Sequence, residues 1–232
     1  MSVDSDMLLV DKYYVKASNQ DQEKCLRGQI YWSPCLHFRP DVQLLRVESE
    51  DPLLQRPTKL ALCPMSEGAF TDTHKPSLHP PLRWDEELMV LRAKKRPVII
   101  FSNESELWSP VTGANPLPRC FLVAPMYTFH PNHSERFKAR VVTFNYPDLF
   151  YMPADSELGM QEGFVNFGQM QVVPKTWLEP TRVCLTADAC ELLTSWFGYY
   201  VCQDQSESLG SLISLMLEHH QEKEPFLTDE SS

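Results

Sequence analysis

The sequence predicts a mainly β fold closed by a C-terminal helix, a small β-barrel with one helix packed on it. Three observations carry this. Short runs of β-branched and aromatic residues recur along the first three quarters of the chain, each bounded by turn residues. Nineteen prolines against eight glycines favour short strands and stiff connections over glycine-rich phosphate loops. A single long amphipathic stripe follows the last strand, and strands first with a helix last is the order of a sheet covered at one end.

Taken in order, residues 1–27 are polar apart from apolar patches at Met7–Val10 and Tyr13–Val15. Gly28–Trp32 starts the first strand, closed by Ser33-Pro34. A long proline-punctuated segment follows, with strand-like pieces at Val42–Val47 and Lys59–Leu62 and a loop at His74–Pro81. Trp84, Leu88 and Leu91 recur at helical spacing and predict a short helix over Trp84–Arg92. Val98–Phe101 reads as a buried strand that Pro97 initiates, since proline has no N–H to give a ladder. After a polar loop at Asn103–Pro118, strands are expected at Cys120–Pro125, Arg140–Phe144 and Phe164–Val173. Thr186 is the expected N-cap of a helix over Ala187–Cys202, with Ala189, Leu192, Leu193, Trp196, Phe197 and Tyr200 on its apolar face. Leu209–Leu217 predicts a second short helix, and residues 218–232 an acidic, frayed tail. The expected organisation is one domain over 1–217 with 33–95 inserted between the first strand and the Arg-Pro strand.

Hydrophobic residues make up 43% of the chain, enough for a core rather than a disordered polymer. The formal charge of −10 counts against a general nucleic-acid binder, which neutralises phosphates with a basic surface. The seven cysteines include no C-x-x-C pair and lie among apolar residues, as buried free thiols do. With no basic leader segment and no apolar run of membrane-spanning length, a cytoplasmic protein without membrane contact is expected. His219-His220 has no acidic or cysteine partner at ligand spacing, so neither a metal nor a cofactor is expected. No G-x-S-x-G, H-E-x-x-H, Walker or dinucleotide signature occurs.

The candidate site begins at Arg96. A guanidinium held beside Pro97 at a strand mouth can meet a phosphate or a carboxylate in a fork, or simply pair with a neighbouring acid. Thr128 offers a hydroxyl after Leu122–Pro125, and His130 and His133 follow in a polar turn. Histidine titrates near neutrality, as a general acid or base requires, although turn histidines are commonly just solvated.

Four fragments in order resemble the PemK/MazF family of bacterial toxins: Gly28-Gln-Ile-Tyr-Trp32, Arg96-Pro-Val-Ile-Ile-Phe-Ser102, Leu122-Val-Ala-Pro-Met-Tyr-Thr128, and Gly163–Trp177 leading into Leu185-Thr-Ala-Asp188. The resemblance implies an SH3-like barrel, typically a homodimer, that cuts single-stranded RNA without a metal and is silenced by an antitoxin. It implies that Arg96 and Thr128 are site residues, with His130 as a replacement acid or base. Two departures bear on activity. Asn166 and Gly168 stand where better-studied members carry a catalytic Arg and Asp, and no glutamate precedes Arg96 at short range, the nearest being Glu86 and Glu87. The acidic charge, the missing pair and the long insertion favour a protein-binding accessory or regulatory module. Its setting would be a bacterial stress or phage-defence system, of toxin-antitoxin or CRISPR-associated type. Its partner would be antitoxin-like or another defence subunit. The alternative is an active metal-independent endoribonuclease. An exposed apolar patch on the insertion or on Leu209–Leu217 speaks for the first, a basic groove at Arg96 for the second.

Overall fold

The computed structural model describes residues 10, 12–18, 24–37, 42–51, 56–65, 81–83, 85–102, 120–202, 210 and 214. The chain divides into two units, residues 1–33 with 95–232, and residues 34–94. Both are built from antiparallel sheet, and helices complete the mainly β architecture. No helix among the described residues is long and apolar enough to cross a membrane. Most of the sequence-predicted loops at 74–81 and 103–118, the helix at 209–217 and the tail from 218 lie outside the described residues.

The strands are β1 (Tyr14–Lys16), β2 (Gln29–His37), β3 (Gln43–Asp51), β4 (Arg56–Pro64), β5 (Met89–Val90), β6 (Arg92–Ser102), β7 (Cys120–Thr128), β8 (Leu149–Met152), β9 (Gly163–Asn166), β10 (Gln171–Pro174) and β11 (Glu179–Leu185). The helices are α1 (Glu135–Val142) and α2 (Ala187–Cys202). The eight-stranded sheet runs β1-β11-β2-β6-β7-β9-β8, with β10 also paired to β7. This path is open, ending at β1 and β8, and does not close on itself among the described residues. β3, β4 and β5 form the separate three-stranded sheet.

β7 organises the larger unit. Val98, Ile99 and Ile100 of β6 face Pro125, Ala124 and Val123 on one side. On the other side Met126–Thr128 pair with β9 and Cys120–Val123 with β10. Val98, Ile99, Ile100, Val123 and Ala124 are fully buried, so both faces of this central pair are covered. That explains an unbroken apolar run where a half-exposed sheet would alternate.

Five local expectations need correction, and one strand was not expected. The strand begun at Gly28–Trp32 runs on through Ser33-Pro34 to His37 rather than closing there. The strand containing Val98–Phe101 starts at Arg92, so Pro97 lies within it rather than initiating it. Residues 85–92 are not helical: Leu45 N–H donates to Leu88 O at 2.9 Å and Met89–Val90 pair with Leu44 and Gln43. Cross-strand bonds to β3 outweigh the helical spacing there. Trp84 itself lies outside the described residues. Arg140–Phe144, read as a strand from its β-branched run, forms the end of α1. Ser134 Oγ accepts the Phe137 N–H at 3.1 Å to cap that helix. Asn145 N–H donates to Arg140 O at 2.8 Å, with Phe144 in the left-handed region at φ 56°, to end it. The single strand expected over Phe164–Val173 is broken by a 3-10 turn at Phe167–Gln169. Phe167 turns inward there onto Phe101 and Phe197, at ring distances of 5.9 and 5.3 Å. Leu149–Met152, for which no strand was expected, forms β8 with all four residues buried.

α2 matches its expected span. Thr186 Oγ1 accepts the Ala189 N–H at 3.2 Å and its own hydroxyl donates to Lys12 O. Ala189, Leu193 and Trp196 are buried, and Trp196 Nε1–H donates to Leu149 O at 3.1 Å, tying the helix to β8. All seven cysteines are free thiols.

Tyr13, Tyr14 and Tyr151 are buried together against this core, and burial raises each phenol well above its ordinary range. Tyr14 O–H donates to Pro153 O, and Tyr151 O–H to Glu162 Oε1 at 2.7 Å. The native state therefore keeps these protons at a pH where the unfolded chain has released them. Stability should hold up to about pH 10 and then fall, by up to about 1.4 kcal/mol per pH unit for each phenol. Urea titrations at stepped alkaline pH, with phenolate absorbance followed in parallel, test this. Phenolate signal from all eight tyrosines near pH 10 without unfolding would refute it.

Candidate functional site

Arg96 sits midway along β6, and extending the β6–β7 register places it opposite Tyr127. The contact follows: the Arg96 guanidinium lies over the Tyr127 ring, 4.2 Å from its centroid. Such a stack holds a cation by the ring quadrupole without consuming its N–H donors. Arg96 Nε is buried with no hydrogen-bond partner among the described residues. The carboxylate that could have neutralised Arg96 is thus absent from its described surroundings.

Tyr127 is itself held on two further sides. Phe164, its cross-strand partner on β9, stacks nearly parallel to it at 5.5 Å and 12°. The Tyr127 O–H donates to Gln169 Oε1, from the 3-10 turn that follows β9. Aromatic contacts continue outward, with Phe129 at 5.6 Å from Phe164 and His133 at 5.0 Å from Phe137.

The other sequence-predicted residues are distributed differently. Thr128 is exposed at the end of β7, opposite Gly163. Successive strand residues point to opposite faces, so Thr128 leaves β7 on the face opposite Tyr127. The sheet therefore does not bring the Thr128 hydroxyl onto the Arg96 side. His130 is exposed in the turn after β7, where its Nδ1 accepts the Asn132 N–H at 3.2 Å. His133 Nδ1 accepts the His130 N–H at 3.1 Å. With both Nδ1 atoms accepting backbone protons, the neutral rings carry their proton on Nε2. The two histidines hold the turn, and proton transfer from either would run through Nε2.

Asn166 precedes the 3-10 turn and Gly168 lies within it. Asn166 Oδ1 is buried without a partner among the described residues, and it, Asp148 Oδ2 and the Tyr200 hydroxyl lie within 4 Å of where a side chain at Gly168 would start. Glu87 pairs with Arg46 at 2.9 Å within the three-stranded sheet. Among the described residues no set of three His, Cys, Asp or Glu side chains gathers as metal ligands would. An open depression of about 430 Å³ is lined by Arg27, Ala187, Cys190, Glu191, Thr194 and Ser195. Burial pushes the Cys190 thiol up, which keeps it protonated and poorly nucleophilic.

On the smaller unit, the β3–β4 register puts Leu45 beside Leu62 and Val47 beside Leu60, and the β3–β5 register puts Val90 beside Gln43 on the same face. Leu60, Leu62 and Val90 of that face are 47%, 52% and 38% exposed. Met65 and Met89 nearby in sequence are also exposed.

No family model matches the chain, and no curated protein matches it. Sequence reasoning found Arg96 but missed Tyr127 and Gln169. Tyr127 had no local signal, because its place across from Arg96 depends on the β6–β7 register that sets Val98 opposite Pro125. Gln169 had none, because its position depends on the turn that breaks the expected strand.

Proposed function

We propose that this protein is a protein-binding accessory or regulatory module of a bacterial stress or phage-defence system, cytoplasmic, built on a diverged PemK/MazF-like, SH3-like barrel. The observation that carries this reading is the set of exposed apolar side chains on one face of the inserted sheet, Leu60 and Leu62 on β4 and Val90 on β5, with β3 between the two strands. A neighbouring cluster of large exposed apolar side chains gains free energy when a partner covers it. The separation of Thr128 and Arg96 onto opposite faces of β7 supports the same reading, because a phosphoryl-transfer site needs its donors converging on one atom. The partner is antitoxin-like or another defence subunit, or a second copy of the chain.

A second reading, a metal-independent endoribonuclease acting on single-stranded RNA, is favoured by one observation: Arg96 is stacked on Tyr127 and unpaired among the described residues. A phosphate is one group that could neutralise that charge.

One experiment separates the readings. Purified protein at micromolar concentration is incubated with mixed-sequence single-stranded RNA without metal, and its oligomeric and partner-bound state is measured beside it. The expected result is no cleavage, with association lost in Leu60→Glu/Leu62→Glu and retained in Arg96→Ala. Cleavage by the wild type that disappears in Arg96→Ala would replace the first reading with the second.

A further inference from the structure

β4 is an edge strand: it pairs with β3 on one side and, among the described residues, with no strand on the other. The β3–β4 ladder shows which of its backbone groups face that open side. Met65 N–H donates to Val42 O at 3.1 Å, and from there the antiparallel pattern alternates, so Cys63 and Ala61 bond toward β3. Leu62 and Leu60 fall at the alternate positions, opposite Leu45 and Val47, and turn their N–H and C=O outward. Leu45 agrees with this, since its own N–H points away from β4, to Leu88 O at 2.9 Å. Leu62 and Leu60, whose side chains are 52% and 47% exposed, are therefore also the residues that present backbone donors and acceptors along the edge. An edge that is apolar and open in the same few residues is a template for another strand.

We infer that this edge pairs with the β4 edge of a second copy of the chain, antiparallel about a two-fold axis at Ala61. A second copy is then the partner of the apolar face, which rests on the first reading above. The register follows from what the edge offers. β4 carries an extra residue at Thr58, between Lys59 and Pro57 in the ladder, and Pro64 has no N–H to give. The regular open stretch is thus Lys59–Cys63, and its centre is Ala61. About that axis Leu60 lies opposite Leu62 of the second copy and Leu62 opposite Leu60 of the second copy, so every outward N–H and C=O of these residues finds a partner. Centring on Leu60 instead sets Leu62 against the irregular Thr58, and centring on Leu62 sets Leu60 against Pro64. Residues directly opposite share a face, so the four leucines meet on one face, and Lys59 meets Cys63 rather than a second Lys59. Edges of this length cover less than the roughly 1,600 Å² of a standard interface, so the dimer is weak and depends on concentration.

The full-length protein is followed by sedimentation velocity from low to high micromolar concentration, over which the dimer fraction should rise. Leu60→Pro removes one outward N–H per copy and spares the β3 ladder, because that N–H does not point at β3. The two-fold axis makes each substitution count twice, so the dimer Kd should rise about tenfold, with the far-ultraviolet circular dichroism unchanged. Ala61→Cys gives a readout independent of that variant. Residue 61 faces its own copy across the axis as a non-hydrogen-bonded pair, with Cα atoms about 4.5 Å apart and within disulfide reach. Under diamide Ala61→Cys should form linked dimers well above the background from the native cysteines. Leu60→Cys, two residues out of step with its own copy, should not. Protein that stays monomeric throughout overturns the pairing and leaves the first reading to a different partner. A dimer that Leu60→Pro does not weaken, or that Ala61→Cys does not link, overturns this interface. Linked Ala61→Cys dimers of a protein that also cleaves RNA uphold the pairing and overturn the first reading.

Discussion

Gly163→Ala should cost about 3 kcal/mol or more, at the upper end of what overpacking does. A Cβ at Gly163 would lie 2.0 Å from Tyr127 O, 2.9 Å from Tyr127 C and 3.0 Å from Thr128 Cα. These are backbone atoms of β7, so no side chain can rotate away and the strands must part. Parting them breaks the Thr128–Gly163 and Tyr127–Phe164 pairs and takes away the ring that carries Arg96. For a chain of this size the melting temperature should fall by roughly 10 °C. Gly198→Ala is the matched control. It lies within α2 with open space where the Cβ would go, so the same added methyl should stabilise by about 0.5–1 kcal/mol through helix propensity. Calorimetry on both variants decides the matter, and an unchanged melting temperature in Gly163→Ala would refute the close approach of β7 and β9.

Trp196→Ala should lose about 3–5 kcal/mol, the range for emptying a large aromatic site. Trp196 is 1% exposed and packs edge-on against Phe144 at 4.9 Å and tilted against Tyr199 at 5.1 Å. Its Nε1–H is also the donor that reaches Leu149 O from α2. Trp196→Phe separates the two contributions. It keeps most of the ring packing but leaves the Leu149 carbonyl without that donor, a loss of about 1–3 kcal/mol. Urea unfolding should rank wild type, Trp196→Phe and Trp196→Ala in falling order. A Phe variant as unstable as the Ala variant would mean that the hydrogen bond, and not the packing, fastens the helix.

Elements were legible where one local signal dominated. Thr186 followed by the apolar stripe from Ala189 to Tyr200 located α2, because capping and helical periodicity are both encoded within a few residues. The apolar runs of β6 and β7 were readable for the same reason, though β6 extends back past Pro97 to Arg92. Misreadings fell where tertiary partners outweigh local preference. Val141–Thr143 is β-branched, yet α1 forms there because Ser134 caps it and Ala139, Val141 and Val142 are buried on one side. Leu88 and its neighbours are spaced like a helix but are drawn into hydrogen bonds with β3.

The candidate site divides along the same line. By itself the sequence determined the mainly β class, the closing helix and the presence of an arginine on a buried strand, since each depends on residues adjacent in the chain. Only the tertiary structure decided what that arginine does. Register across β6, β7 and β9 set Arg96 on Tyr127 and Tyr127 on Phe164, and sent Thr128 to the other face. The 3-10 turn at Phe167–Gln169 brought in Gln169, and the pairing of β3, β4 and β5 put Leu60, Leu62 and Val90 on one face of their sheet. A strand's side-chain period of two means that a one-residue change of register would reverse every one of these placements, and register is a property of strand pairs rather than of any single strand.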